Sequence, residues 1–373
     1  MTGARRADGR ERRRWCAWLL PMLCLAFSST ADAAELAEFP SSLTIISGFA
    51  AGGGDERGGV SGRGAAARLQ PQPGYDQTAR LFARHIGQFL PGKPSVSLRF
   101  MPGAGSIRAA AHLAREAARD GSVLGVVASA ALLAPLIGEH DPGYRLHSFA
   151  FVGGRSPDEY VCVIDGQAGA ETLDDLKSRE LAFGTSAPGR RQHTHVLLLK
   201  QLTDAPIRIV SGYKDNNEIL LAMRRGEISG VCGMSLETYK AGLPGWMASG
   251  RLKPVLRLSP DWLETLRAVP RAQDLAREQG ADANLIAALD FFAQEGAMAW
   301  ALTAPAAISP DRLKILRAAF EAMQMDKTYL REAQRRNLDV DTVSTARIEA
   351  GAAMLAQTPG AALDLIRHLN AAP

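Results

Sequence analysis

The chain has 373 residues, 43 Lys+Arg against 39 Asp+Glu, and a formal net charge of +4. Much of that excess sits in residues 1–33, where Arg5, Arg6, Arg10, Arg12, Arg13 and Arg14 precede the apolar run Trp15 to Phe27 and the small-residue site Ala31-Asp32-Ala33. This is the pattern of a secretory signal peptide cleaved before Ala34. Its removal leaves 37 basic and 36 acidic side chains in 340 residues, too balanced for a nucleic-acid partner, and no later apolar stretch reaches the ~18 residues of a membrane helix.

In chain order, Leu43-Thr44-Ile45-Ile46 reads as a strand and runs into the glycine-rich turn Phe49-Ala50-Ala51-Gly52-Gly53-Gly54. Residues 55–73 follow, rich in Gly, Arg and Pro and without an apolar period, which predicts a mobile surface insertion. Gly62-Arg63-Gly64 within it lacks the strand and acidic residue that a dinucleotide fingerprint needs. Asp76 opens a helix with Ala79, Phe82, Ala83 and Ile86 on one face.

Ser95 to Met101 alternates, with Val96, Leu98 and Phe100 on one side. The second glycine turn, Met101-Pro102-Gly103-Ala104-Gly105-Ser106, feeds a helix burying Ile107, Ala110, Ala111 and Ala114. Further strands are expected at 123–128, 149–152, 161–164, 181–184, 207–210, 228–231, 254–258 and 297–302, with helices at 172–177, 192–202, 216–225 and in the tail 310–369. Alternation of this kind implies mostly parallel sheets flanked by helices, an α/β class. Its sites lie beyond the carboxyl ends of the strands, where both glycine turns fall. Two such turns would aim backbone N–H groups and positive helix ends at one point, an arrangement suited to a small carboxylate.

Catalytic signatures are absent: no Gly-x-Ser-x-Gly elbow, no Walker lysine and no His-Glu-x-x-His. His193 and His195, one residue apart on a predicted helix, face different directions and are expected as solvated side chains, not metal ligands. Cys162 and Cys232 are the cysteines that remain once Cys16 and Cys24 leave with the signal, either bridged or as two buried thiols.

Several motifs together carry a resemblance. Phe49 to Gly54 resumed at Gly74-Tyr75-Asp76-Gln77-Thr78-Ala79-Arg80-Leu81, Met101 to Gly105, Asp120-Gly121-Ser122, Gly184-Thr185-Ser186, Gly212-Tyr213-Lys214 and Arg225-Gly226-Glu227-Ile228-Ser229-Gly230 agree in order and spacing. So do Ala304-Pro305, Asp311-Arg312-Leu313 and Asp339-Val340-Asp341 in the tail. Over nearly the whole mature chain this resembles the solute receptors of tripartite tricarboxylate transporters, the Bug-type periplasmic substrate-binding proteins.

The resemblance implies a two-lobed type II periplasmic binding protein fold, each lobe a mostly parallel sheet flanked by helices. Lobe 1 would span 34–152, with 255–300 returning to it, and lobe 2 would span 153–254, with tail helices 301–373 packing across both. It implies ligand contacts from Phe49, Ala50, Gly53, Gly54, Asp76, Gly103, Ala104, Gly105 and Ser106 in lobe 1, and from Thr185, Ser186, Gly189, Tyr213 and Lys214 in lobe 2. The implied function is a periplasmic, non-enzymatic monomer without cofactor or metal. It would bind a small carboxylate and deliver it to large and small membrane subunits. A ligand sensor for a signalling partner, or an enzyme on the same fold, are the alternatives. Two departures stand out: the insertion 55–73 between the first glycine turn and Asp76, and Arg190-Arg191 where small polar residues are usual. Facing the cleft, those arginines favour a more anionic ligand; otherwise they are solvated.

Overall fold

The computed structural model describes residues 39–51, 74–138, 140–260, 264 and 266–372. The signal segment, Gly53, Gly54 and the insertion 55–73 lie outside the described residues. From the amino-terminal side the chain forms β1 (Ser42–Ser47), α1 (Tyr75–His85), β2 (Ser95–Phe100), α2 (Ile107–Arg115), β3 (Val123–Val126), α3 (Ser129–Ile137) and β4 (Phe149–Gly154). It crosses at 155–159 to β5 (Tyr160–Asp165), β6 (Leu181–Gly184), α4 (Arg191–Thr203), β7 (Ile207–Val210), α5 (Asn216–Arg224), β8 (Gly230–Ser235), α6 (Leu236–Gly242) and β9 (Leu252–Leu258). Then come α7 (Ala272–Glu278), α8 (Ala283–Ala297), β10 (Ala301–Pro305), and the tail helices α9 (Pro310–Gln324), α10 (Lys327–Arg335), α11 (Thr345–Ala356) and α12 (Gly360–Ala371).

The strands form two five-stranded sheets, ordered β2-β1-β3-β10-β4 and β7-β6-β8-β5-β9. In the first, β1 runs parallel to β2 and β3, and β10 is antiparallel to β3 and β4. The second repeats this, with β6 parallel to β7 and β8 and β5 antiparallel to β8 and β9. Each antiparallel strand is the one the chain lays down on arriving in, or returning to, its sheet. This is the two-lobed type II periplasmic binding protein fold. The strand near 254–258, expected on the return to the first lobe, pairs with β5 in the second sheet. The chain returns later, through β10, because α8 continues to Ala297 and displaces the strand expected at 297–302.

Local chemistry accounts for the main elements. Central β1 buries Leu43, Ile45 and Ile46, facing both ways, while edge strand β2 keeps the alternation of a half-covered strand. Side-chain caps start several helices: Asp215 on α5, Ser235 on α6, Asp282 on α8, Ser309 on α9 and Ser344 on α11 each accept a first-turn backbone N–H. The helix expected at 172–177 is a single 3₁₀ turn, Asp174–Lys177. Tail helices α9 and α11 pack on β4, and α12 lies against α3, α4 and α8.

Cys162 of β5 and Cys232 of β8 are joined by a disulfide. It crosses the antiparallel pair at a register irregularity between Val161 and Val163 and is fully buried. A bond that fixes adjacent strands of one sheet, 70 residues apart in sequence, restricts mainly the unfolded chain. Intact mass after alkylation without reductant should show no modified thiol in the processed protein. Reduction in denaturant followed by alkylation and refolding should lower stability by about 2–5 kcal/mol; two alkylated thiols before reduction would contradict the bridge.

Candidate functional site

Lobe 1 brings three strand ends together. Gly103, Ala104, Gly105 and Ser106 all have positive φ (146°, 47°, 60° and 79°), a left-handed run that wraps the chain tightly before α2. The Ser106 hydroxyl is buried and accepts from the Ala128 N–H at 3.3 Å, tying the turn to the exit of β3. A Cβ on Gly48 would fall 1.7 Å from that hydroxyl oxygen. Only glycine therefore lets the exit of β1, carrying Phe49 and Ala50, close over the turn. Of the expected contacts here, Ser106 spends its side chain inside the lobe, while Gly103, Ala104 and Gly105 are exposed.

Asp76, in the first turn of α1, is buried and held by Arg80 at 2.8 Å, and Arg80 in turn lies over the Phe100 ring. Beside it, Tyr75 stacks on Phe49 (centroids 4.9 Å apart) and meets Trp300 (4.5 Å), making an aromatic wall at the lobe boundary. The Ser129 N–H donates to the Tyr75 hydroxyl at 3.3 Å. Burial, reinforced by the negative charge of Asp158, holds that phenol well above its ordinary pKa.

Lobe 2 gathers Thr185, Ser186 and Tyr213. The backbone N–H groups of Gly212 and Tyr213 donate to the carbonyls of Ser186 and Thr185 (3.4 Å each), joining the ends of β6 and β7. The Ser186 hydroxyl donates to Gln192 (3.1 Å), whose amide donates to Asn216 (2.7 Å) at the start of α5. At Gly189, a Cβ would meet the Asn370 carbonyl of α12 at 2.7 Å. Lys214 is exposed, and its backbone N–H donates to Glu218 at 2.6 Å.

The histidines are not solvated, contrary to their sequence pattern; both are buried. Helix α4 is covered by β8, α7 and α12, so its polar positions at 192–195 face protein as well. His193 reaches the Thr185 hydroxyl at 3.4 Å. His195 sits between the rings of Tyr160 and Phe292, and burial, with Arg191 adding, pushes its pKa down to about 3, so it is neutral at physiological pH. Among the described residues no group of three or more His, Cys, Asp or Glu is placed to hold a metal ion.

The seam between the lobes carries residues that sequence reading did not assign. Arg155, fully buried in the crossover, donates to Thr78 of α1 (3.0 Å) and to both carboxylate oxygens of Glu237 on α6 (3.1 and 2.8 Å), and lies 4.4 Å over the Trp300 ring. Trp300 donates to Asp158 at 2.8 Å. Burial and then the charge of Glu237 push the Asp158 pKa up to about 6, against the opposing pull of the Trp300 hydrogen bond and Arg155. Arg191, neither solvated nor facing the cleft unpaired, binds Glu295 at 2.8 Å and covers the Tyr160 ring at 4.3 Å. The only hint in sequence is the unusual Arg190-Arg191 pair at the start of α4.

No protein-family model matches the sequence, and no curated protein compared with it is similar. Solved structures do share its architecture. A TctC solute-binding protein from Polaromonas superposes with a TM-score of 0.61 at 16% identity, covering 88% of this chain and 97% of its own. MatC from Rhodopseudomonas palustris, solved with bound malate, gives 0.52 at 18% identity over 88% and 98%. Rpa4515 of R. palustris, solved with adipate, gives 0.54 at 15% identity over 88% and 97%. Among the described residues no helix is long and apolar enough to cross a membrane. The chain has the fold of the TctC and Bug-type periplasmic solute-binding proteins.

Proposed function

We propose that this protein is an extracytoplasmic solute receptor of the tripartite tricarboxylate type. It binds a small carboxylate in the interlobe cleft and passes it to a membrane transporter with one large and one small subunit. The observation that supports the reading is that each lobe carries a strand-to-helix turn beyond a carboxyl end of its sheet, 103–106 between β2 and α2 and 185–189 between β6 and α4. Backbone N–H groups and helix starts attract an anion without a dedicated cation, and contacts from both lobes make closure depend on ligand. The malate and adipate seen in two proteins of the same fold fit this ligand class. A buried disulfide suits an oxidising compartment, in keeping with export and removal of residues 1–33.

On this reading Phe49, Ala50, Gly103, Ala104 and Gly105 hold the ligand from lobe 1. Thr185, Ser186, Tyr213 and Lys214 hold it from lobe 2, and no bond is made or broken. A thermal-shift series of mono- and dicarboxylates of three to six carbons, with neutral sugars as comparison, tests it. A carboxylate at about 100 times its Kd should stabilise the protein by about 2.7 kcal/mol and raise Tm, while sugars leave Tm unchanged. Stabilisation by sugars and by no carboxylate would sink the assignment.

A further inference from the structure

The outer strands of the two sheets are β2 and β4 in the first and β7 and β9 in the second. An open strand edge is a row of backbone N–H and C=O groups ready to pair with another chain. The tail occupies β4: side chains of Arg317, Thr345 and Gln324 donate to the carbonyls of Phe151, Val152 and Gly154 at 3.0, 3.0 and 2.7 Å. On β9 the Arg257 N–H donates to the Pro270 carbonyl at 2.9 Å. Strand β7 is only four residues long.

Edge strand β2 has no such cover. The Ser95 N–H donates to the Ser41 carbonyl (3.1 Å) and the Met101 N–H to the Ser47 carbonyl (2.8 Å). By the alternation of a strand, the backbone groups of Ser95, Ser97 and Arg99 face β1, and those of Val96, Leu98 and Phe100 face outward. Among the described residues none of these outward groups has a hydrogen-bond partner. The register with β1 runs from Ser95 to Phe100 without a bulge, and no proline interrupts it.

Beside this edge lies a groove of about 540 Å³, bounded by α1, the 3₁₀ turn Ile86–Phe89 and β2. A Cβ on Gly87 would fall 2.7 Å from the Pro94 carbonyl, so glycine lets that turn sit against the start of the strand. Half-buried Val96 and Leu98 line the groove together with Arg80, Arg84 and Lys93, and none of its lining residues is acidic. Asp76 answers Arg80 and Glu332 answers Arg84, while exposed Lys93 and Arg99 have no ion pair among the described residues.

We infer that the open edge of β2 docks an acidic extended segment of a partner protein, which adds as a further strand to the first sheet and lays its carboxylates along the basic groove. Main-chain pairing supplies affinity in such an addition and alternate side chains supply specificity. Basic residues on an edge also guard it. Here guarding and selecting are one device, since Lys93 and Arg99 repel a basic strand and admit an acidic one. A second copy of this chain is disfavoured for the same reason: β2 against β2 would gather Lys93 and Arg99 of both copies in one seam. An anionic lipid surface would use the cations and leave the outward backbone groups unpaired. The inference is independent of the ligand that the cleft takes.

The probe is a fluorescein-labelled peptide of four Thr-Glu repeats, with a Thr-Gln peptide of equal length as its uncharged match. Fluorescence polarisation with the mature protein at low ionic strength should show the Thr-Glu peptide binding at least tenfold more tightly. The double variant Lys93→Glu with Arg99→Glu changes two exposed side chains and should weaken that binding at least tenfold. Hydrogen–deuterium exchange separates strand addition from ion pairing: bound peptide should slow the exchanging amides of 95–100 at least tenfold, whereas ion pairing alone leaves them unchanged. No binding, equal affinity for the two peptides, full affinity in the double variant or unchanged exchange over 95–100 would each overturn the inference. Binding to phosphatidylglycerol vesicles and to neither peptide would assign the basic face to a membrane surface and overturn it too. If the double variant fails to fold, the peptide ratio and the exchange in the wild type decide alone.

Discussion

Arg155→Met is expected to destabilise the protein by about 3–5 kcal/mol, the range for removing one partner of a buried ion pair. The guanidinium is fully buried and joins Thr78 of lobe 1, Glu237 of lobe 2, the Asp339 carbonyl of the tail and the Trp300 ring. Methionine fills similar space but leaves Glu237 and Asp158 in a low-dielectric seam without that positive charge. The loss should depend on pH, and Asp158 gives the sign. Its folded pKa, about 6, lies above the ordinary value of 3.8, so the folded state binds its proton more readily than the unfolded chain. Its contribution therefore favours folding at low pH and is lost as pH rises from about 4 through 6. Without Arg155 to oppose the rise, that window moves upward. Chemical denaturation of wild type and variant at pH 5 and pH 8 should show a smaller deficit at pH 5. A deficit under 1 kcal/mol at pH 8, or one that grows on acidification, would show that Arg155 is not the electrostatic hub of the crossover.

The lobes were legible because their signals are local. Edge strand β2 shows its alternation since one of its faces is less covered, and the apolar spacing of α1 and α2 follows from packing one face on a sheet. Helix α8 left no such mark: Leu285, Ala288, Leu289, Phe291, Phe292, Ala293, Glu295, Gly296 and Ala297 are buried on several sides, so no helical period survives. That hid the return of the chain. The same cause misplaced His193 and His195, whose polarity suggested a wet face on a stretch of helix, 192–196, that is buried throughout.

The seam was illegible for a different reason. Arg155 finds Thr78, Glu237 and Asp339 at separations of 77, 82 and 184 residues, and Arg191 finds Glu295 at 104. Such pairings follow from the crossover geometry, not from spacing along the chain. The glycine turns, by contrast, announce a backbone need at the position itself: Gly48 has no room for a Cβ, and 103–106 are all left-handed.

Gly105→Asp is expected to abolish carboxylate binding, by at least about a hundredfold, while leaving the protein folded. Gly105 has φ 60° and ψ 36°, and a Cβ placed there meets no atom within 4 Å. The left-handed conformation costs an ordinary residue about 1–2 kcal/mol, and aspartate tolerates it better than most. Stability should therefore fall only slightly. Binding should suffer far more, because the new carboxylate stands in the turn proposed to receive the ligand's own. Two like charges about 4 Å apart at an effective dielectric near 20 repel by about 4 kcal/mol, a loss of roughly a thousandfold. Gly105→Asn separates charge from shape, since it has the same size and the same backbone strain without the charge. Titration of the best carboxylate from the thermal-shift series into both variants decides the matter. Loss with Asp and retention within about tenfold with Asn places the carboxylate at this turn by electrostatics. Equal loss in both would mean that shape alone closes the site, and full affinity in the Asp variant would place 103–106 outside it.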